Sequence, residues 1–166
     1  MIMKPVDLRD VMRRWASGVA ILTTGDRLQR HGMTVSSFNS ISVEPPLVTA
    51  TMANLTRTKQ LVDRTGTFAI NLLAAGQEGL SEKFAGHVSE QDDRFAGLKV
   101  DYPLNDIPVI ADAVAWVLCR VVHTYPMPNS TLYIGKVLQA MKTGDHPPLI
   151  YYDRSYHRIE SEHEPK

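Results

Sequence analysis

GMTVSSFNSISVEPPLV, residues 32–48, decides how the rest of the chain is read. Val35, Ile41, Val43, Leu47 and Val48 are strand-forming residues. Between them stand Thr34, Ser36, Ser37, Asn39, Ser40 and Ser42, all short hydrogen-bonding side chains. Gly32 opens the stretch and Pro45–Pro46 interrupt it near its end. Proline cannot donate a ladder hydrogen bond, so the pair marks a strand start or an edge. The segment reads as a strand pair or one long bent strand, with LVTATMA (47–53) as the next strand. Its many hydroxyls fit a half-buried strand with one wet face. They fit equally a ligand wall, where short side chains leave the backbone open to a flat, hydrogen-bonding ring.

Outward from this stretch the pattern stays mostly β. VAILTTG (19–25) precedes it as a strand, after an amphipathic helix over 7–16 with Leu8, Val11, Met12 and Trp15 on one face, Asp7 as N-cap and Gly18 as its end. Residues 56–64 read as a short helix, 67–74 as a strand and 77–84 as another helix. A loop with a helical turn spans 86–97, and 101–108 is irregular. Residues 113–127 and 130–144 make two long strands, and PLIYYD with SYHRIE a final hairpin. Six or seven strands with only short helices between them argue against a doubly wound parallel sheet. A closed antiparallel barrel, which leaves no exposed edge, fits better.

The 166 residues suit one domain, expected over 1–166 with its core at about 8–159. Lys and Arg number 18, as do Asp and Glu. That balance argues against a generic nucleic-acid or acidic-membrane binder. The single Cys119 sits in the apolar run VAWVLCRVV and reads as a buried thiol. No signal-peptide pattern or bilayer-length apolar run is seen, so a cytoplasmic location is expected. The six histidines are scattered without metal-ligand spacing, and no metal is expected. Nucleophile-elbow and phosphate-loop motifs are missing. In NLTRT (54–58), Asn54 or Thr56 can cap a helix, and the same N-terminus with Arg57 can hold a phosphate. Lys83 and Arg94 are further candidate phosphate partners, whereas Phe84 and Phe95 read as core.

Taken in order, LRDVMRRWASGVAILTT, GMTVSSFNSISVEPPLV, FAINLLAAGQEGLSEKFAG, DRF and PLIYYDRSYHRI resemble the short-chain flavin reductase family, reductase partners of two-component flavin monooxygenases. The resemblance runs from about Leu8 to Ile159. It implies a mainly β fold, a six-stranded antiparallel Greek-key split barrel of the FMN-binding, pyridoxamine-phosphate-oxidase-like type with short flanking helices. It implies a homodimer that uses NADH, or NADPH, to reduce FMN or FAD, and reduced flavin that diffuses to a separate oxygenase. By residue, Met33, Thr34, Val35, Ser36 and Ser37 match the wall against the flavin ring, and Ser42 the ribityl side. Ala53, Asn54 and Thr58 match the phosphate-side loop. Lys83, Phe84, Arg94 and Phe95 match the phosphate or adenine end. Tyr152 and the stretch from Arg154 to His157 match the nicotinamide side. Several relatives carry a histidine just before the penultimate long strand, where this chain has Asn129 and Ser130. Ser130 makes that contact, or His123 or His157 replaces it. Hydride transfer between two cofactors needs positioning more than acid–base chemistry, so no catalytic His, Asp or Cys is expected. The rival reading is a flavin-storage or electron-transfer protein on the same barrel, without NADH activity.

Overall fold

A computed structural model describes residues 7–86, 93–104 and 106–159. Its elements are α1 (Leu8–Met12), β1 (Ser17–Gly18), β2 (Ala20–Gly25), β3 (Arg30–Val35), β4 (Phe38–Ser42), β5 (Leu47–Ala53), α2 (Arg57–Thr65), β6 (Thr67–Leu72) and α3 (Glu78–Phe84). They continue as β7 (Val100–Asp101), β8 (Val109–Ile110), β9 (Ala115–Pro126), β10 (Ser130–Lys142), β11 (Leu149–Tyr152) and β12 (Ser155–Arg158).

The stretch 32–48 is a strand pair, and its two strands lie at opposite edges of one sheet. Seven antiparallel strands run in the order β3-β2-β6-β9-β10-β5-β4. Only Ser36 and Ser37 separate β3 from β4. Three residue steps reach about 11 Å, whereas seven strands laid flat would be about 29 Å across. The sheet must therefore roll until its edges meet, which makes the barrel, and the edges do not pair, which leaves the split. Ser37 secures the far edge: its Oγ donates to the Thr51 carbonyl at 3.2 Å, and Thr51 N–H donates to the Ser37 carbonyl at 3.3 Å. The sheet holds seven strands rather than the expected six, because the break at Ser36–Ser37 splits one long strand into two.

The core explains the residue pattern. Leu22, Val35, Met52, Phe68, Ile70, Cys119 and Tyr133 fill the barrel. A second cluster of Val19, Ile21, Leu73, Phe84, Phe95 and Leu149 packs outside β2. β2 is buried along its whole length, between these two layers. Asn71 joins them: it donates to the Ile21 carbonyl and to Thr23, and accepts from Ile110 N–H at 2.8 Å.

Two expectations change. The first helix ends at Met12 rather than Ala16, and none of its residues is buried. So short an amphipathic helix has no packed face to hold it together here. Gly18 does not end it but lies in β1, paired with Ile150 of β11. The irregular stretch 101–108 is flanked by the short β7–β8 pair. Residues 87–92 of the loop read over 86–97, and residue 105, lie outside the described residues. Among the described residues no helix is long and apolar enough to cross a membrane.

Candidate active site

β3 is an edge strand that, among the described residues, pairs only with β2. Along it, Met33 and Val35 turn toward the barrel core, while Gly32 and Thr34 face α3. The Thr34 hydroxyl donates to the Ser81 carbonyl at 2.5 Å. At Gly32 the Phe84 ring lies almost on the backbone: an added Cβ would stand 2.9 Å from Cε1. The Gly32 carbonyl points away from β2 and accepts from Arg94 Nη1 at 3.2 Å. Strand alternation gives Thr34 the same outward backbone orientation.

A groove follows this edge as three cavities with shared walls. One, of about 240 Å³, lies among Val19, Thr34, Ser36, Ser81, Glu82, Ala85, Tyr151 and Tyr156. The middle one, about 120 Å³, shares Thr34 and Ala85 and adds Met33, Phe84 and the start of α2. The last, about 270 Å³, shares His31, Arg57 and Arg94 with the middle one, and adds Gln29, Arg30, Asp93 and Phe95.

The two ends differ chemically. At the first, Tyr151 and Tyr156 are cross-strand partners with ring centroids 5.4 Å apart. The Tyr156 hydroxyl meets Ser81 Oγ at 2.9 Å and donates to Glu82 Oε1 at 2.7 Å. At the other end Thr56 caps α2, accepting from Lys59 N–H at 3.3 Å. His31 and Thr58 share a buried hydrogen bond of 2.8 Å. Arg57 donates to Gln29, and the buried Arg94 donates to the carbonyls of Gly32 and Phe84. Two guanidiniums beside a helix N-terminus form a donor set suited to a phosphate monoester. Arg30 holds the Asp93 carboxyl below the usual carboxylate range. Burial pushes the Cys119 thiol up to about 12, so it is inert at neutral pH. Among the described residues no three His, Cys, Asp or Glu side chains gather as a metal site would require.

Of the residues singled out from sequence, Met33, Thr34, Ser36, Thr58, Phe84, Arg94 and Phe95 line this groove. Phe84 and Phe95 are core, packed edge to face at 5.1 Å, and also border the groove. Thr56, Arg57 and Tyr156, the last within the stretch 154–157, line it as well. The rest stand apart from it. The Val35 side chain is inside the barrel, and Ser37 binds β5. Ser42 pairs with Leu47 at the far end of β4. Asn54 donates to the carbonyls of Met127 and Pro128 and accepts from Thr131, so it staples the β9–β10 turn, where Ala53 pairs with Ser130. Lys83 donates to the Ala96 carbonyl. Tyr152 and His157, with rings 5.9 Å apart, lie on the face of the β11–β12 hairpin opposite Tyr151 and Tyr156. Tyr156 belongs to the stretch 154–157 expected on the nicotinamide side; Tyr151, its cross-strand partner, is the addition. His31 and Arg30 were missed because β3 starts two residues before Gly32.

A groove along a strand edge, ending in a phosphate-type donor set, suits a flavin mononucleotide. Comparison with known proteins agrees. Residues 12–160 match the model of the flavin reductase like domain. The chain belongs to the flavin reductase-like family. It is 35% identical over 160 residues to an NADH-dependent flavin reductase of Rhodococcus, covering 94% of this chain and 87% of that protein. It is 30% identical over 151 residues to the reductase component of 4-hydroxyphenylacetate 3-monooxygenase from Thermus thermophilus, covering 91% and 94%. The solved structure of the flavin reductase PheA2 superposes with a TM-score of 0.82 at 31% identity, covering 92% of this chain and 96% of that one. These relatives carry the split-barrel architecture into the fold described above.

Proposed function

We propose that this protein is an NADH-dependent flavin reductase that supplies reduced flavin to a separate oxygenase component. The observation that carries it is the groove along β3, open at the backbone on one end and basic at the other, on a chain whose relatives are flavin reductases. Bound together, the nicotinamide supplies the hydride and the flavin ring accepts it. The chain's own work is positioning. The outward backbone of Thr34 and the Ser36 hydroxyl orient the ring edge. Neutral backbone donors of this kind offset developing negative charge without titrating. Arg57, Arg94 and the α2 N-terminus hold the phosphate. Tyr151 and Tyr156 form the wall where the nicotinamide enters. A cytoplasmic setting, where NADH is present, goes with this reading.

Anaerobic mixing of protein, FMN and NADH is expected to bleach the yellow flavin absorption. A protein that binds FMN but leaves it yellow is a storage or electron-transfer protein instead. Thr34 stands where two cavities join, so Thr34→Trp fills the slot. Its rate of flavin reduction is expected to fall by about a hundredfold, about 2.7 kcal/mol. Full activity in this variant would remove the assigned site.

The protein is also proposed to be a homodimer. Ile41, Tyr125, Met127, Leu138 and Met141 are all at least two-fifths exposed along β4, β9, the turn after it and β10. Exposed apolar side chains of this kind are what a subunit interface covers. Sedimentation equilibrium is expected to return twice the chain mass of 18.6 kDa; a monomer at micromolar concentration would refute the assignment.

A further inference from the structure

The basic end of the groove is not uniformly basic. Arg30 lies 4.8 Å above the Phe95 ring centroid, and its Nη1 donates to the Tyr102 hydroxyl at 2.8 Å. Its Nη2 donates to Asp93 Oδ2 at 2.8 Å. Asp93 is held from the other side too: Oδ1 accepts from Phe95 N–H at 3.0 Å, and its carbonyl accepts from Ala96 N–H. The carboxylate is thus fixed in position, and it faces the same cavity as Arg57 and Arg94.

Two arginines match one phosphate monoester. A flavin dinucleotide brings a second phosphate and an adenosine, which must run outward from the first phosphate. Past Arg57 and Arg94 the groove runs to Arg30 and Asp93. The cavity there, about 270 Å³, has room, so size alone does not exclude the longer flavin. The placement of charge does. FMN keeps its charge at Arg57 and Arg94, whereas the second phosphate of FAD would lie beside the Asp93 carboxylate, which already occupies the Arg30 guanidinium and repels it.

We propose that Asp93 sets the flavin length this site accepts, selecting FMN over FAD. The proposal rests on the flavin-reductase reading given above. Asp93 is a specificity-determining residue, not a catalytic one, since it lies at the groove end remote from Tyr151 and Tyr156.

Asp93→Asn is the informative variant. Asparagine caps a turn about as well as aspartate and still offers Arg30 an acceptor, but carries no charge. Dissociation constants for FMN, FAD and riboflavin, measured by equilibrium ultrafiltration without NADH, give the readout. The native protein is expected to bind FMN about tenfold or more tightly than FAD. In Asp93→Asn the FAD constant is expected to improve about tenfold, with FMN and riboflavin changed by less than about threefold. Raising the salt should also narrow the native preference, because screening weakens repulsion and leaves shape untouched. If the asparagine variant does not fold, Asp93→Ser keeps a capping oxygen and carries the same expectation. A native protein that binds FAD as well as FMN overturns the proposal, as does an FMN-to-FAD ratio unmoved in the variant. A chain that binds no flavin overturns the functional reading as well. One that reduces flavin with an unmoved ratio overturns this proposal alone.

Discussion

Gly135→Ala is expected to lower Tm by about 2–12 °C. Gly135 lies midway along β10, between Val48 of β5 and Val121 of β9. A Cβ there would stand 2.6 Å from Phe68 Cζ and 2.9 Å from Cys119 Cβ. Both neighbours are fully buried, so neither can swing into solvent. Overpacking of this kind costs about 1–3 kcal/mol. For a chain of this size each kcal/mol moves Tm by about 2–4 °C. Differential scanning fluorimetry reads the shift directly. The cause is checked by Phe68→Leu: if the Phe68 ring is what the new methyl strikes, the double variant is more stable than the two single losses summed would allow, by about 1 kcal/mol. Additive losses, or an unchanged Tm in Gly135→Ala, would show that the barrel has slack at this point. FMN affinity at low temperature should be unaffected, because Gly135 does not line the groove.

Much of this barrel can be read from residue order. Alternation in LVTATMA becomes the alternating burial of β5, and Pro45–Pro46 fall in the turn before it. The hydroxyl-rich stretch fits a wet strand face and a ligand wall equally by composition. The structure brings Thr34 and Ser36 to the groove and gives Ser37 to the barrel edge. What stayed hidden was non-local. No sequence pattern shows that β3 and β4, two residues apart, form opposite edges of one sheet, because that follows from how five other strands order themselves between them. The face presented by the last hairpin was hidden for a local reason. Its turn places Asp153 and Arg154 at φ 46° and 64° without a glycine. The usual Asn-Gly or Asp-Gly signal of a two-residue turn is missing, so the register was open. That register decides whether Tyr152 and His157 or Tyr151 and Tyr156 reach the groove. In sequence Asn54 suits a helix cap or a phosphate ligand, but Thr56 takes the cap. Asn54 meets carbonyls 73 and 74 residues further along the chain, a pairing no local window contains.

Gly32→Val is expected to weaken FMN binding by more than about tenfold while the barrel still folds. The Cβ would lie 2.9 and 3.0 Å from two Phe84 ring carbons and 3.1 Å from the Leu22 carbonyl. The carbonyl belongs to β2 and is fixed by the sheet, so Phe84 must give way. Phe84 is 1% exposed and packs edge-on against Phe95, which leaves two directions for it to move. Either the ring turns into the groove and occupies the slot, or α3 is pushed away from β3. The second movement breaks the bond from Thr34 to Ser81 and separates the two carbonyls that Arg94 bridges, Gly32 and Phe84. Both outcomes damage the groove where ring and phosphate are proposed to meet. The cost to the fold is that of overpacking, about 1–3 kcal/mol, and falls outside the barrel interior. Far-ultraviolet circular dichroism should therefore keep its strand signal at temperatures where FMN no longer binds. This separates Gly32 from Gly135, whose substitution costs stability and spares the groove. Native FMN affinity in Gly32→Val would mean that contact between β3 and Phe84 does not shape the flavin site.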